Sequence, residues 1–199
     1  VQPNSGVSIG TPSGGALNVA IGGGISLSGL RDPSSVSLSA GAGTGDIILD
    51  NAANNLRGVS VNSGRDVTLS SAYAGGNVTI DLPLATGGLR DVSIAYANAP
   101  GVVLYGSGGL AELSGNLAVT SGGSIGQVYG LNLTGASSTS TFTSAGDITL
   151  NYGNNLGAVT LNPTAATVNA TLVNNSTNAA LSITSPLNDL SLTQPNNSI

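Results

Sequence analysis

Asp46 and Asp50 are the pair of side chains best placed for chemistry: four positions apart, they bracket a short apolar stretch and share one face of an extended strand. Two carboxylates so arranged could act on a sugar as acid and base, or hold a calcium ion. Asn151 replaces Asp50 where the same stretch recurs, and Asp and Asn also shape bends by bonding nearby backbone N–H groups. Histidine is absent and Glu112 is the single Glu. Serine and threonine are plentiful, but with no His or Lys nothing is at hand to activate a hydroxyl nucleophile. No residue is therefore assigned as catalytic, cofactor-binding or metal-ligating, and no cofactor is expected.

Arg-Asp dipeptides occur at Arg31–Asp32, Arg65–Asp66 and Arg90–Asp91, with Arg57 nearby. They form a recognition stripe if successive segments align the guanidinium groups on one side. The favoured reading is exposed ion pairs at strand entrances, each contributing little. Gly22-Gly23-Gly24 and Gly122-Gly123 are followed by no Lys and open no helix, so they read as tight bends and not as phosphate loops. Asn54–Asn55, Asn154–Asn155 and Asn174–Asn175 are expected to form amide ladders at corners. Sequons at Asn77, Asn132, Asn169, Asn174, Asn175 and Asn196 are what chance gives in a chain so rich in Asn and Thr.

The elements that position these residues show themselves through repetition. Gly115-Asn-Leu117-Ala-Val119 answers Gly15-Ala-Leu17-Asn-Val19, and Gly146-Asp147-Ile148-Thr149-Leu150 answers Gly45-Asp46-Ile47-Ile48-Leu49. Likewise Val159-Thr160-Leu161-Asn162 answers Val59-Ser60-Val61-Asn62, and Leu187 to Leu192 answers Leu89 to Ile94. The offset stays near one hundred residues, so the chain holds two super-repeats, approximately 1–100 and 101–199, within a single domain spanning 1–199. Inside each lies an apolar-polar-apolar triplet, as in Val7-Ser-Ile9, Val36-Ser-Leu38, Val67-Thr-Leu69, Leu131-Asn-Leu133 and Leu181-Ser-Ile183. Period-two alternation rich in Val, Ile and Thr, punctuated by Gly, Asn, Asp and Pro, specifies short strands and no helix.

Strands this short are marginal as free hairpins. Stacked as coils of roughly 20–22 residues, they bury continuous aliphatic columns and pair with the rungs above and below. An all-β parallel β-solenoid of about nine coils, on the order of 45 Å long, is the expected fold; an antiparallel sandwich is the alternative that evenly spaced strands also permit. The composition agrees, with 40% hydrophobic but only 3% aromatic residues, as a narrow aliphatic interior requires. Inward positions should include Leu17, Val19, Ile25, Ile47, Leu49, Val59, Val61, Val67, Leu69, Leu117, Val119, Ile125, Ile148, Leu150, Val159 and Leu161. Matching residues of the two copies are expected to lie half the rod length apart along one axis.

The run Leu113 to Ile125, then Leu131-Asn-Leu-Thr-Gly135, Phe142 to Leu150 and Asn154 to Leu161 resembles the repeat region of the filamentous haemagglutinin family, the exoproteins of bacterial two-partner secretion. The resemblance implies a right-handed parallel β-helix, export through an outer-membrane secretion partner, and display at the cell surface as a fibrous stalk for adhesion or for delivering a terminal domain. That family's N-terminal secretion domain finds no match in these residues, from which the resemblance leads one to expect a part of such an exoprotein and not the whole.

Other features bound the setting. Cysteine is absent, so disulfides contribute nothing. No Met begins the chain and no leader pattern is visible, from which Val1 is expected to start a mature product or a fragment. Four Arg, no Lys and a net charge of −5 argue against nucleic acid as a partner, and no apolar run is long enough to insert in a membrane as a helix. The expectation is a non-catalytic, extracellular fibre segment whose partners are coils or subunits stacked end to end and a ligand on a host or neighbouring cell. A self-assembling filament subunit and a β-helical polysaccharide-active enzyme are the alternatives, while ice binding finds support only in Thr139-Ser-Thr141-Phe-Thr143.

Overall fold

A computed structural model describes residues 16–20, 25–26, 35–83, 88–106, 109–177 and 179–195, with side chains from residue 35 onward. The alternating triplets form strands that are all paired in parallel. One sheet has nine strands, in the order β1 (Ala16–Ala20), β3 (Ser35–Ser39), β5 (Gly58–Ser63), β7 (Val78–Leu82), β9 (Gly101–Gly106), β12 (Ser124–Gln127), β15 (Ile148–Asn154), β17 (Asn169–Asn174) and β19 (Asp189–Thr193). The other has eight: β2 (Ile25–Ser26), β4 (Ile47–Leu49), β6 (Val67–Ser70), β8 (Val92–Tyr96), β11 (Leu117–Ser121), β14 (Thr139–Ser144), β16 (Ala158–Pro163) and β18 (Leu181–Ile183). Successive strands alternate between the sheets, so the chain winds as a β-solenoid. About seven full turns lie between residues 35 and 193, fewer than the nine coils expected, because the coils reach 25 residues in length. The triplet Val7-Ser-Ile9 lies outside the described residues.

Burial follows the period of two. Strand β4 alternates buried, exposed, buried, and β5 and β6 repeat the pattern. Inward residues stack in register: Leu49 on Leu69, Leu69 on Ile94, Ile94 on Val119, Val119 on Phe142 and Phe142 on Leu161. Each such side chain, removed from water, stabilises by about 1.5–3 kcal/mol. Every residue expected to point inward and lying at or beyond position 35 is buried. The side chains of Leu17, Val19 and Ile25 lie outside the described residues, although the backbone register sets Leu17 beside Val36 and Val19 beside Leu38.

The interior is less strictly aliphatic than the composition suggests. Phe142 and Tyr96 are fully enclosed. Tyr96 fits because its column continues with small side chains, Ser121 and then Ser144, a large-with-small complementarity that holds the volume constant.

Two departures from expectation matter for function. First, β10 (Ala111–Leu113) and β13 (Leu131–Leu133) pair as a third short sheet, extended by a bridge between Asn132 and Asn155. Coils range from 19 to 25 residues, as Ser140 with Val159 and Val92 with Leu117 show, and longer coils have residues to spare for a third face. Second, the two sequence copies are not related by displacement along the axis alone. Ile47 is in the eight-stranded sheet and Ile148 in the nine-stranded one, and β5 with Val59 answers β16 with Val159, again across sheets. Nine half-coils separate Ile47 from Ile148, and an odd number of half-coils adds a half turn to the translation.

Candidate functional surfaces on the faces of the solenoid

A polar ladder runs along the strand entrances of the eight-stranded sheet. Asp46 precedes β4, Asp66 precedes β6, Asp91 precedes β8 and Asn116 precedes β11, so coil length alone stacks them. The Arg65 guanidinium donates to both Asp46 oxygens at 2.8 and 2.7 Å and lies 3.3 Å from Asp66. Arg90 donates to both Asp66 oxygens, one at 2.9 Å, and is 2.9 Å from Asp91. Asp91 Oδ1 accepts from the backbone N–H of Asn116 at 2.8 Å and from its amide at 3.1 Å. Asn116 Oδ1 in turn accepts from the N–H and hydroxyl of Thr139, both at 3.0 Å. The Arg65 hydrogen bonds hold the Asp46 carboxyl below its ordinary range, and the carboxylates facing Arg65 and Arg90 raise both guanidinium values further.

The half-turn relation reproduces this device on the other sheet. Asp147 Oδ1 accepts from the backbone N–H of Asn169 at 2.9 Å and from its amide at 3.1 Å, and Asn169 Oδ1 accepts from the amide of Asn188 at 2.8 Å. In both places a side-chain oxygen accepts from a backbone N–H on the next rung. The Arg-Asp residues do align on one side, but as charges that satisfy one another. Arg31–Asp32 lies outside the described residues, and Arg57 sits 6.0 Å from the centre of the Tyr73 ring. A shallow depression of about 320 Å³ beside Arg90 and Asp91 is lined otherwise by Ser, Gly and Asn.

Asp46 and Asp50 flank β4 on its outer side, with Ile48 exposed between them. Asp46 is engaged by Arg65 through both of its carboxylate oxygens. Among the described residues no group of three His, Cys, Asp or Glu is placed to share a metal ion, and no helix is long and apolar enough to cross a membrane.

The paired asparagines are mostly corner locks to backbone and only partly amide ladders. Asn154, fully buried, donates to the carbonyls of Leu150, Tyr152 and Val173 and accepts from the Leu131 N–H at 2.9 Å. Asn54 and Asn174 are equally buried and bond Leu49 O and Leu156 N. Amide-to-amide contacts join Asn155 to Asn132 at 2.9 Å and Gln127 to Asn154 at 2.8 Å. Of the sequons, Asn174 is enclosed and Asn196 lies outside the described residues. Gly123 makes the close approach of a tight bend, since a Cβ there would overlap the Pro100 carbonyl; Gly22 to Gly24 lie outside the described residues.

A surface that the residue-by-residue reading passed over stands where the nine-stranded sheet turns toward the third sheet. The dipeptide Tyr-Gly occurs at 105–106, 129–130 and 152–153, each time at this corner. Tyr105, Tyr129 and Tyr152 are 37, 39 and 44% exposed, whereas Tyr73, Tyr96 and Phe142 are buried. The rings of Tyr105 and Tyr129 meet edge to face at 5.8 Å. Glycine is required after Tyr129, where a Cβ on Gly130 would come within 2.6 Å of Leu110 Cδ1 and 2.8 Å of the Gly153 carbonyl, and after Tyr105, where a Cβ on Gly106 would overlap the Gly109 carbonyl. The thrice-repeated dipeptide was the available signal.

No curated protein and no solved structure matches this chain. Residues 2–63 and 90–162 each match a family of repeats described as of unknown function, DUF5649. The first stretch lies within the first copy of the super-repeat, the second begins at the end of that copy and runs through much of the second, and together they cover more than half of the sequence. The chain thus belongs to the family of repeats of unknown function, DUF5649.

Proposed function

We propose that the chain is a structural and adhesive segment of a secreted bacterial surface fibre, a rod that exposes its lateral faces to a host or neighbouring cell or holds a terminal domain away from its own. The observation that carries this reading is the use made of the charged side chains. Asp46, Arg65, Asp66, Arg90 and Asp91 are consumed in a ladder that ties one coil to the next, an arrangement that stiffens a stack and converges on no substrate. Extracellular placement and export through an outer-membrane partner rest on the resemblance to haemagglutinin repeats. Beads coated with the chain should adhere to cultured host cells or to neighbouring bacteria, while pectin and alginate incubated with it release no new reducing ends. Release of reducing ends that is abolished by Asp46→Asn would replace the fibre reading by an enzymatic one.

A second reading, the subunit of an end-to-end filament, is favoured by the rung of β18 and β19. There Ile183 and Leu190 are 41 and 36% exposed. They present an apolar surface that a further coil, or another copy, would cover by extending the parallel sheets.

A further inference from the structure

We propose that the Tyr105–Tyr129–Tyr152 corner is a binding platform for an uncharged polysaccharide that lies along the solenoid axis. This deepens the adhesive reading, on which it rests for the outward display of the corner. Three of the chain's five tyrosines stand at the same corner on successive coils, Tyr129 and Tyr152 in register and Tyr105 one position out of register with Tyr129. The register supports this, because Tyr129 and Tyr152 are separated by the same interval as Ile125 from Ile148 and Asn132 from its bridge partner Asn155. Rungs of a parallel sheet are about 4.8 Å apart, close to the length of one sugar unit, so a linear glycan along the corner meets the tyrosines in turn; the edge-to-face setting of Tyr105 and Tyr129 lets one of the two stack on a sugar face while the other borders it. Aromatic side chains present a broad apolar face with a polar tip, which suits a sugar ring with its apolar C–H face and its rim of hydroxyls.

Hydrogen-bonding groups flank the aromatics on the third sheet. Glu112 pairs in register with Asn132, and Asn132 with Asn155; all three are half-buried, and they line the outer face beside the tyrosines. Leu110, 44% exposed, completes the apolar strip over Gly130.

Charge and area select the occupant. The acidic groups near the strip are Glu112 and Asp81, the latter in register with Tyr105. Among the described residues, Arg65 and Arg90 are held in the ladder at the entrances of the other sheet and Arg57 lies against Tyr73, so no described cation faces a sulfated, uronic or nucleic acid polymer. The three tyrosines and Leu110 together expose on the order of 300 Å², within the range of functional patches but well below the roughly 800 Å² per partner of a stable protein interface. A second copy or a folded protein would need more surface than the strip provides. Among the described residues the corner is an open ridge, the form that receives an internal stretch of a long chain.

The test is native affinity electrophoresis of the intact chain in gels containing hydroxyethylcellulose, galactomannan or dextran, with polygalacturonate and polymer-free gels alongside. At least one neutral polymer should retard the parent. Tyr129→Ala should weaken that retardation at least tenfold, and Tyr129→Phe should retain it within about threefold, because the ring does the stacking. Circular dichroism of each variant should match the parent, as expected for a side chain outside the core. No retardation by any neutral polymer, equal retardation of Tyr129→Ala, stronger retardation by polygalacturonate, or slowing already present without polymer would each overturn the proposal. A chain that coats beads and adheres to cells yet ignores all neutral glycans defeats this inference alone and leaves the fibre reading standing.

Discussion

Ile47 and Ile148 head the same motif in the two halves of the sequence, yet they stand on different sheets of the solenoid, in β4 and β15. The repeat of about one hundred residues therefore counts half-coils of about eleven residues, not coils. Both sheets accept the same inward triplet because each presents an equivalent wall to a shared interior. If this equivalence holds, transplanting the second-copy motif into the first by Ile48→Thr with Asp50→Asn changes only outward positions, and stability should stay within about 0.5 kcal/mol of the parent. Urea unfolding checks this, and a loss of several kcal/mol would show that the sheets are not interchangeable.

The interior columns predict a sharp contrast with that result. Val59 and Val159 are each 2% exposed, and a carboxylate at either position has no cation within the column to meet it. Val59→Asp and Val159→Asp should each cost about 3–5 kcal/mol or prevent folding, the effect of a buried uncompensated charge. Thermal melts equal to the parent's would refute the inward assignment.

The polar ladder predicts acid sensitivity. Arg65 holds the Asp46 carboxyl below its ordinary value of 3.8. A carboxyl depressed by folding adds stability that is complete above its unfolded value and is lost as pH falls through the folded one. Between pH 5 and pH 2 the parent should lose more stability than Asp46→Asn, which lacks the titrating group. Denaturant midpoints across that range would show converging curves, and parallel curves would contradict the assignment.

What could be read from the sequence was set by local chemistry. Period-two triplets fixed strand type and inward residues, because a side chain's face depends only on its immediate neighbours; Val67-Thr-Leu69 and Leu131-Asn-Leu133 both place their apolar members in the core. Sheet membership was not readable. Leu131-Asn-Leu133 looks like any other triplet but belongs to the third sheet, and this depends on how many residues its coil spends elsewhere. Partners across coils were hidden for the same reason: Arg65 meets Asp46 only because their coil is of the length that sets Ile47 beside Val67. The exposed tyrosines escaped notice because an aromatic beside Val or Leu, as in Leu104-Tyr105 and Val128-Tyr129, reads equally well as core until burial separates Tyr105 from Tyr96.

Small-angle X-ray scattering over a concentration series tests the central claim, a rod that extends along its own axis, most directly. The account predicts a cross-section that stays constant at every concentration and a longest dimension on the order of 45 Å, from nine rungs about 4.8 Å apart; growth of that dimension in steps of one chain length, as copies dock over Ile183 and Leu190, would mark the filament reading. A cross-section that widens with concentration, or an isotropic particle whose dimensions do not change, would contradict it.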